Sequence, residues 1–147
     1  MNKGEIAKSN FLKGYNCAQS VALAFKDELN MEEKTIALLV SGFGGGMGRM
    51  REVCGCVSGM VFVLSYLYGY SEPKDNQKKK ELYSHINAVA NEYKEINGSI
   101  ICRELLGLTK PDGIVPEERT PQYYKKRPCQ ELCKIAGDIL ENYINNN

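Results

Sequence analysis

The sequence predicts an all-α protein, and three observations support that class. Apolar residues recur at spacings of three and four, which is the period of one helix face. No stretch alternates apolar and polar residues in the way that a half-buried strand does. Asn, Gly and Pro fall between the apolar stretches, where helices begin and end. The 147 residues are enough to bury a core, so we expect a single domain over residues 1–147, a bundle of about six helices.

The first forty residues predict three helices. The first covers residues 5–15. Asn16 is a suitable N-cap for the second, which carries a dense apolar run at residues 21–25 and closes at Asn30. The third covers residues 31–40, and its two acidic residues lie at the positive end of the helix dipole. A glycine-rich run follows it directly.

The most apolar helix is predicted over residues 54–70. It lacks charged residues and approaches the length of a membrane span, but its glycines, serines and cysteines favour a buried central helix. We therefore expect no membrane insertion. Gly55 and Gly59 lie one turn apart on this helix, so another backbone can pack closely against them. An exposed part of the same face is compatible with a homodimer.

The C-terminal half predicts two further long helices separated by irregular chain. A long amphipathic helix covers residues 73–97 and stops at Gly98. A short helical turn is expected within residues 99–107. Three prolines and a glycine predict an extended surface loop over residues 109–127, and Pro128 begins the last helix.

The glycine-rich run indicates a site. Five glycines occur in the seven residues from Gly42 to Gly48, and so flexible a run cannot be a stable helix. It fits neither common phosphate-binding signature. Its backbone N–H groups are suited to line an anion or the sulfides of a cluster, with a plain connector as the alternative. The candidate cofactor-binding residues are Gly44, Gly45 and Gly46.

Four of the six cysteines fall at predicted helix starts: Cys17, Cys54, Cys102 and Cys129. Unpaired N–H groups and the helix dipole favour a thiolate there, so the thiol pKa should fall. Arg103 and a basic run at residues 125–127 would add positive charge near two of them. Core packing is the alternative for each thiol, and it is favoured for Cys133. With no Cys-x-x-Cys and one histidine, His85, no zinc-finger, thioredoxin or haem-attachment pattern is present.

The net charge and the N-terminal sequence limit the partners and the cellular compartment that we expect. A net charge of +1, from 19 basic and 18 acidic residues, argues against nucleic-acid binding. The N-terminus lacks the apolar stretch of a signal peptide, so we expect a cytoplasmic protein. In a reducing compartment, cysteines serve more often as ligands or redox thiols than as structural disulfides.

Several segments resemble one family in its own order along nearly the whole chain. They are the Asn-Cys-Ala-Gln-Ser around Cys17, the glycine-rich run, Cys54-Gly-Cys-Val-Ser-Gly59, Cys102-Arg-Glu-Leu-Leu106 and Cys129. Together they resemble the C_GCAxxG_C_C family, described as redox-active. The resemblance implies that the family's four characteristic cysteines are Cys17, Cys54, Cys102 and Cys129. Cys56 stands where the family motif Cys-Gly-Ala-x-x-Gly has alanine, which adds an extra candidate ligand or resolving thiol.

Three functions are compatible with these residues, whether as an enzyme or as an electron carrier. The first is electron transfer or redox sensing through an iron–sulfur cluster held by the four thiolates, with Cys56 as an additional candidate. A related segment in a cytochrome that also carries an iron–sulfur centre favours this one. The second is metal-free thiol–disulfide chemistry in which Cys54 attacks and a second thiol such as Cys102 resolves. The third is a structural zinc or small-ligand site. A redox partner protein is expected, but the sequence does not identify it.

Overall fold

A computed structural model describes all 147 residues and confirms the all-α class. The only extended pairing is a single antiparallel bridge between Val53 and Ile101. A 3₁₀ turn, Ser41–Phe43, leads into the glycine-rich run. The nine regular helices are α1 (Lys3–Leu12), α2 (Cys17–Ala24), α3 (Lys26–Leu29), α4 (Glu33–Val40), α5 (Gly55–Tyr68), α6 (Asn76–Asn97), α7 (Cys102–Leu106), α8 (Pro121–Lys126) and α9 (Cys129–Asn145).

The predicted cap at Asn16 is confirmed. Its side chain accepts a hydrogen bond from the Gln19 N–H at 2.9 Å, and the Gln19 side chain accepts one from the Asn16 N–H at 3.0 Å. This reciprocal pair satisfies two backbone donors that the helix leaves free. It therefore fixes Cys17 as the first residue of α2. Asn30 and Gly98 end their helices in the left-handed conformation, also as predicted.

The expected number of about six helices was too low. The helix predicted from Asn16 to Asn30 is interrupted at Phe25, and α3 forms the second piece. The segment predicted to be extended contains α8. Thr120 caps that helix by accepting a hydrogen bond from the Tyr123 N–H, and Pro121 occupies its first position, where the missing N–H costs nothing.

Helix α5 packs closely against α2 through its two glycines. An added Cβ would lie 3.0 Å from the Ala18 nitrogen at Gly55 and 2.9 Å from the Ala18 oxygen at Gly59. The predicted close approach is therefore confirmed, and the partner is a helix of the same chain. Both glycines are buried by this contact, and a homodimer stays a prediction.

The core of 25 buried residues is centred on α5, where Met60, Val63 and Leu64 have no exposed surface. Three cysteines, Cys54, Cys56 and Cys133, belong to the same core. No helix in the structure combines the length and apolar character that crossing a bilayer requires. The buried end of α5 thus carries thiols into the interior, next to the starts of α2 and α9.

Candidate functional site

The glycine-rich run forms a left-handed turn. Five consecutive residues, Gly45 to Arg49, have φ between 57° and 70°. Residue 46 must lack a side chain for two reasons. Its φ of 68° disfavours other residues, and the surrounding atoms leave no space for a Cβ. An added Cβ would lie 2.7 Å from the Cβ of Cys102 and 2.6 Å from the backbone nitrogen of Glu52. The turn therefore seats its backbone directly against one of the predicted site cysteines.

A short antiparallel pairing holds Cys54 and Cys102 in a fixed register. The Cys54 N–H donates to the Ile100 carbonyl at 2.7 Å, and the Cys102 N–H donates to the Glu52 carbonyl at 2.6 Å. These bonds flank the bridge between Val53 and Ile101, so the two cysteines lie on the same side of the pair as diagonal neighbours. Diagonal neighbours are about 7–8 Å apart. The two thiols therefore face one side without meeting.

All four predicted helix-start cysteines line one cavity. Its volume is about 310 Å³, and its wall also includes Gly44, Gly45 and Gly46. Cys54 is the N-cap of α5, whereas Cys17, Cys102 and Cys129 are the first residues of α2, α7 and α9. The helix starts predicted from the sequence are thus confirmed. The structure also brings them together, which the sequence spacing alone did not establish.

The remaining two cysteines meet behind that cavity. The sulfurs of Cys56 and Cys133 lie 3.6 Å apart, and both residues have no exposed surface. The Cys17 sulfur lies within 4.8 Å of both. The favoured position of Cys133, on the inner face of its helix, is confirmed. Its contact with Cys56 was missed, because only its spacing from Cys129 was visible in the sequence.

Cys102 is paired with an arginine other than the predicted one. The Nη1 of Arg51 lies 3.6 Å from the Cys102 sulfur, whereas Arg103 pairs with Glu52 at 3.3 Å. The expectation for Arg103 was wrong, because its side chain extends to the partly exposed side of α7. Burial raises the pKa of Cys102, and the hydrogen bond and charge of Arg51 oppose that rise.

A segment that we call the strap, residues 109–120, contributes Ile114, Pro116 and Glu117 to the cavity wall. Arg49 donates to the carbonyls of Gly113 and Val115, and Arg119 donates to the carbonyls of Phe11 and Tyr15. Arginines on both sides of the cavity therefore hold the strap in place.

Acidic residues of the strap complete these attachments. Asp112 accepts hydrogen bonds from Arg51 at 2.8 and 3.2 Å, and Glu117 pairs with Arg127. Arg127, the last residue of the basic run at 125–127, is buried by these contacts.

His85 lies away from the cavity. Its Nδ1 is 2.6 Å from the Tyr143 hydroxyl, and its ring packs on Tyr68 with centroids 4.2 Å apart. The histidine joins α6 to α9, which agrees with the structural role favoured from the sequence.

The comparisons with known proteins give one match. A family model described as "Putative redox-active protein (C_GCAxxG_C_C)" matches residues 15–143. The chain belongs to the C_GCAxxG_C_C family. No curated protein and no solved structure matches it.

Two thiols of this C_GCAxxG_C_C protein have pKa values below the usual value of a cysteine. Hydrogen bonds from Cys129, Cys133 and Cys56 hold the pKa of Cys17 well below its usual value. Hydrogen bonds from Cys56, and then from the Tyr93 hydroxyl 3.2 Å away, lower the pKa of Cys54.

The three thiols that neighbour Cys17 have raised pKa values. The pKa of Cys129 is raised because it hydrogen-bonds to Cys17, and that of Cys56 is raised in the same way by Cys133 and Cys17. Burial raises the pKa of Cys133. The prediction of low pKa values thus holds for Cys17 and Cys54 and is wrong for Cys102 and Cys129, whose pKa values are raised mainly by burial and by hydrogen bonding to Cys17, respectively.

The donor set of this C_GCAxxG_C_C protein fits an iron–sulfur cluster. Four thiol sulfurs line the cavity, and thiolates are the ligands that such clusters take. The backbone at Gly46 can lie directly against Cys102 because no Cβ is present there. The same chemistry also suits zinc, and the compact group of Cys17, Cys56 and Cys133 is a second place where a metal ion fits.

Proposed function

We propose that this chain is an electron-transfer or redox-sensing protein that holds an iron–sulfur cluster on Cys17, Cys54, Cys102 and Cys129. This proposal rests on a single observation. The four cysteines, which lie at four helix starts, line one cavity. Four thiolates are the usual ligand set of iron–sulfur clusters. When bound, the cluster supplies reversible one-electron chemistry.

The surrounding residues support this proposal through their contacts with the sulfurs. Tyr93 lies 3.2 Å from the Cys54 sulfur, and Arg51 lies 3.6 Å from that of Cys102. Hydrogen bonds to ligand sulfurs tune the reduction potential of a cluster. Ile114, Pro116 and Glu117 of the strap form part of the cavity wall, and solvent exposure is another factor that sets the potential of a cluster.

The alternative of metal-free thiol–disulfide chemistry has one observation in its favour. Cys17 lines the cavity, and three neighbouring thiols stabilise its thiolate. The pair first predicted for this chemistry, Cys54 and Cys102, is less suitable. Diagonal neighbours lie about 7–8 Å apart, which exceeds the Cα separation of about 4.4–6.8 Å that disulfides usually span. Bonding them would require movement of the backbone.

The experiment purifies the protein without oxygen, records its absorption spectrum and counts iron, zinc and acid-labile sulfide per chain. We expect a broad visible band with stoichiometric iron and sulfide. Cys102→Ser and Cys129→Ser should lose both, whereas Cys133→Ala, the matched control, should retain both. Zinc without sulfide, lost in Cys133→Ala, would instead support a zinc site at the compact group. Absence of iron and sulfide from the anaerobic protein would favour the dithiol alternative.

A further inference from the structure

Two buried cysteines have no role in the proposed cluster. Cys56 and Cys133 do not line the cavity, and Cys56 replaces the alanine of the family motif. We propose that these two form a second redox site, a buried dithiol that closes to a disulfide through Cys17 and a small organic disulfide entering the cavity.

The geometry of the pair supports bond formation. Cys56 lies in the first turn of α5 and Cys133 in the second turn of α9, and their sulfurs are 3.6 Å apart. This is a non-bonded contact, and a disulfide requires a separation of about 2.0 Å. To form the bond, the two sulfurs have to approach each other by about 1.6 Å.

Access to the pair runs through Cys17. Neither Cys56 nor Cys133 has exposed surface, so an external reagent cannot contact them in the folded protein. Cys17 lines the cavity, and its sulfur lies within 4.8 Å of both. A thiolate is the attacking species in disulfide exchange, and Cys17 is the thiol of this group that lines the cavity from which a reagent arrives.

The exchange proceeds in three balanced steps. The Cys17 thiolate attacks one sulfur of the reagent, forms a mixed disulfide and releases the first reagent thiol. The Cys56 sulfur then attacks the Cys17 sulfur, which releases the second reagent thiol and leaves a disulfide between Cys17 and Cys56. Cys133 attacks Cys56 and frees Cys17. Overall, the pair loses two electrons and two protons, and the reagent is reduced to two thiols.

The dithiol pair itself takes no part in holding the proposed cluster. A metal bound at Cys17 would occupy the sulfur that attacks, so the relay operates only in the metal-free chain. The result of the test is therefore separate from the counts of iron and sulfide that test the proposed function.

The test treats the reduced, metal-free full chain with oxidised glutathione, blocks the remaining thiols by alkylation and maps the disulfides by mass spectrometry. We expect one disulfide between Cys56 and Cys133 and four alkylated cysteines. Cys17→Ala should form this disulfide at least about tenfold more slowly, because it lacks the entry thiol. The double variant Cys56→Ala/Cys133→Ala, which removes both thiols behind Cys17, should stop at a mixed disulfide on Cys17.

Two results would overturn the proposal. One is a wild-type disulfide that joins other cysteines, such as Cys17 with Cys129, in place of Cys56 with Cys133. The other is formation of the Cys56–Cys133 disulfide in Cys17→Ala at the wild-type rate, because the pair would then be reached without the entry thiol.

Discussion

Arg51 joins Cys102 to Asp112 across the wall of the cavity. Its Nη1 lies 3.6 Å from the Cys102 sulfur, and its Nε donates to Asp112 at 2.8 Å. The side chain is only 7% exposed, so solvent screens these contacts little. Arg51 also has φ of 60°, a conformation that costs a non-glycine residue roughly 1–3 kcal/mol. One strained residue thus ties a site thiol to the strap.

Replacing Arg51 should change the chemistry of Cys102. In Arg51→Met the hydrogen bond and the charge are lost while burial remains, so the pKa of Cys102 should rise further above its usual value. The measurement is alkylation of Cys102 against pH, quantified by mass spectrometry. Arg103→Met is the matched control and should leave the profile unchanged. A shift in Arg103→Met alone would contradict the assignment.

The strap should open in acid. Arg51, through its hydrogen bond and charge, holds the pKa of Asp112 at about 2, below its usual 3.8. Because the folded-state pKa is the lower one, the contribution to stability is complete above about pH 4 and is lost as the pH falls through about 2. Pepsin should therefore cut within residues 109–120 faster at pH 2 than at pH 4.

The control for this prediction is Asp112→Asn, which has no carboxylate to titrate. Its strap should be cut readily at both pH values, and it corrects for the pH dependence of pepsin itself. Equal wild-type cleavage at both pH values, after that correction, would show that Asp112 does not fasten the strap.

Local signals were read correctly from the sequence, and side-chain contacts between distant segments were not. Asn16 and Gly98 mark helix ends through bonds to residues three or four positions away, so their neighbours in the sequence reveal them. The contact between Cys56 and Cys133 joins residues 77 positions apart. It depends on how α5 and α9 pack, which no local pattern encodes.

The arginines illustrate the same limit. Arg103 follows Cys102 directly and was the obvious partner, yet the thiol contacts Arg51. The first turn of α7 directs Arg103 towards Glu52. The left-handed turn of the glycine-rich run brings Arg51 back to Cys102, and composition predicts that such a run is flexible without predicting its path.

The hydroxyl of Tyr93 should affect Cys54. It lies 3.2 Å from the sulfur and both residues are buried, so Tyr93→Phe removes a hydrogen bond that helps to lower the pKa of Cys54. A hydrogen bond to a charged group stabilises that group, so its loss should raise the pKa of Cys54. Alkylation of Cys54 against pH measures the rise. Tyr83→Phe, which removes an exposed hydroxyl, is the control, and an equal shift in both variants would refute the role of Tyr93.

Substituting two glycines of the same turn distinguishes the effect of backbone strain on stability from the effect of close contact. Gly46 and Gly48 both have positive φ, but only at Gly46 would a Cβ meet other atoms, with Cys102 and Arg51 at 2.7 Å. Gly48→Ala should lower the free energy of unfolding by about 1–2 kcal/mol through strain alone. Gly46→Ala adds overpacking, so we expect a loss of about 2–5 kcal/mol. Urea unfolding at constant m-value measures both. Equal losses would mean that the turn does not press against Cys102, whereas a larger loss for Gly46→Ala supports the close seating of the loop on that thiol.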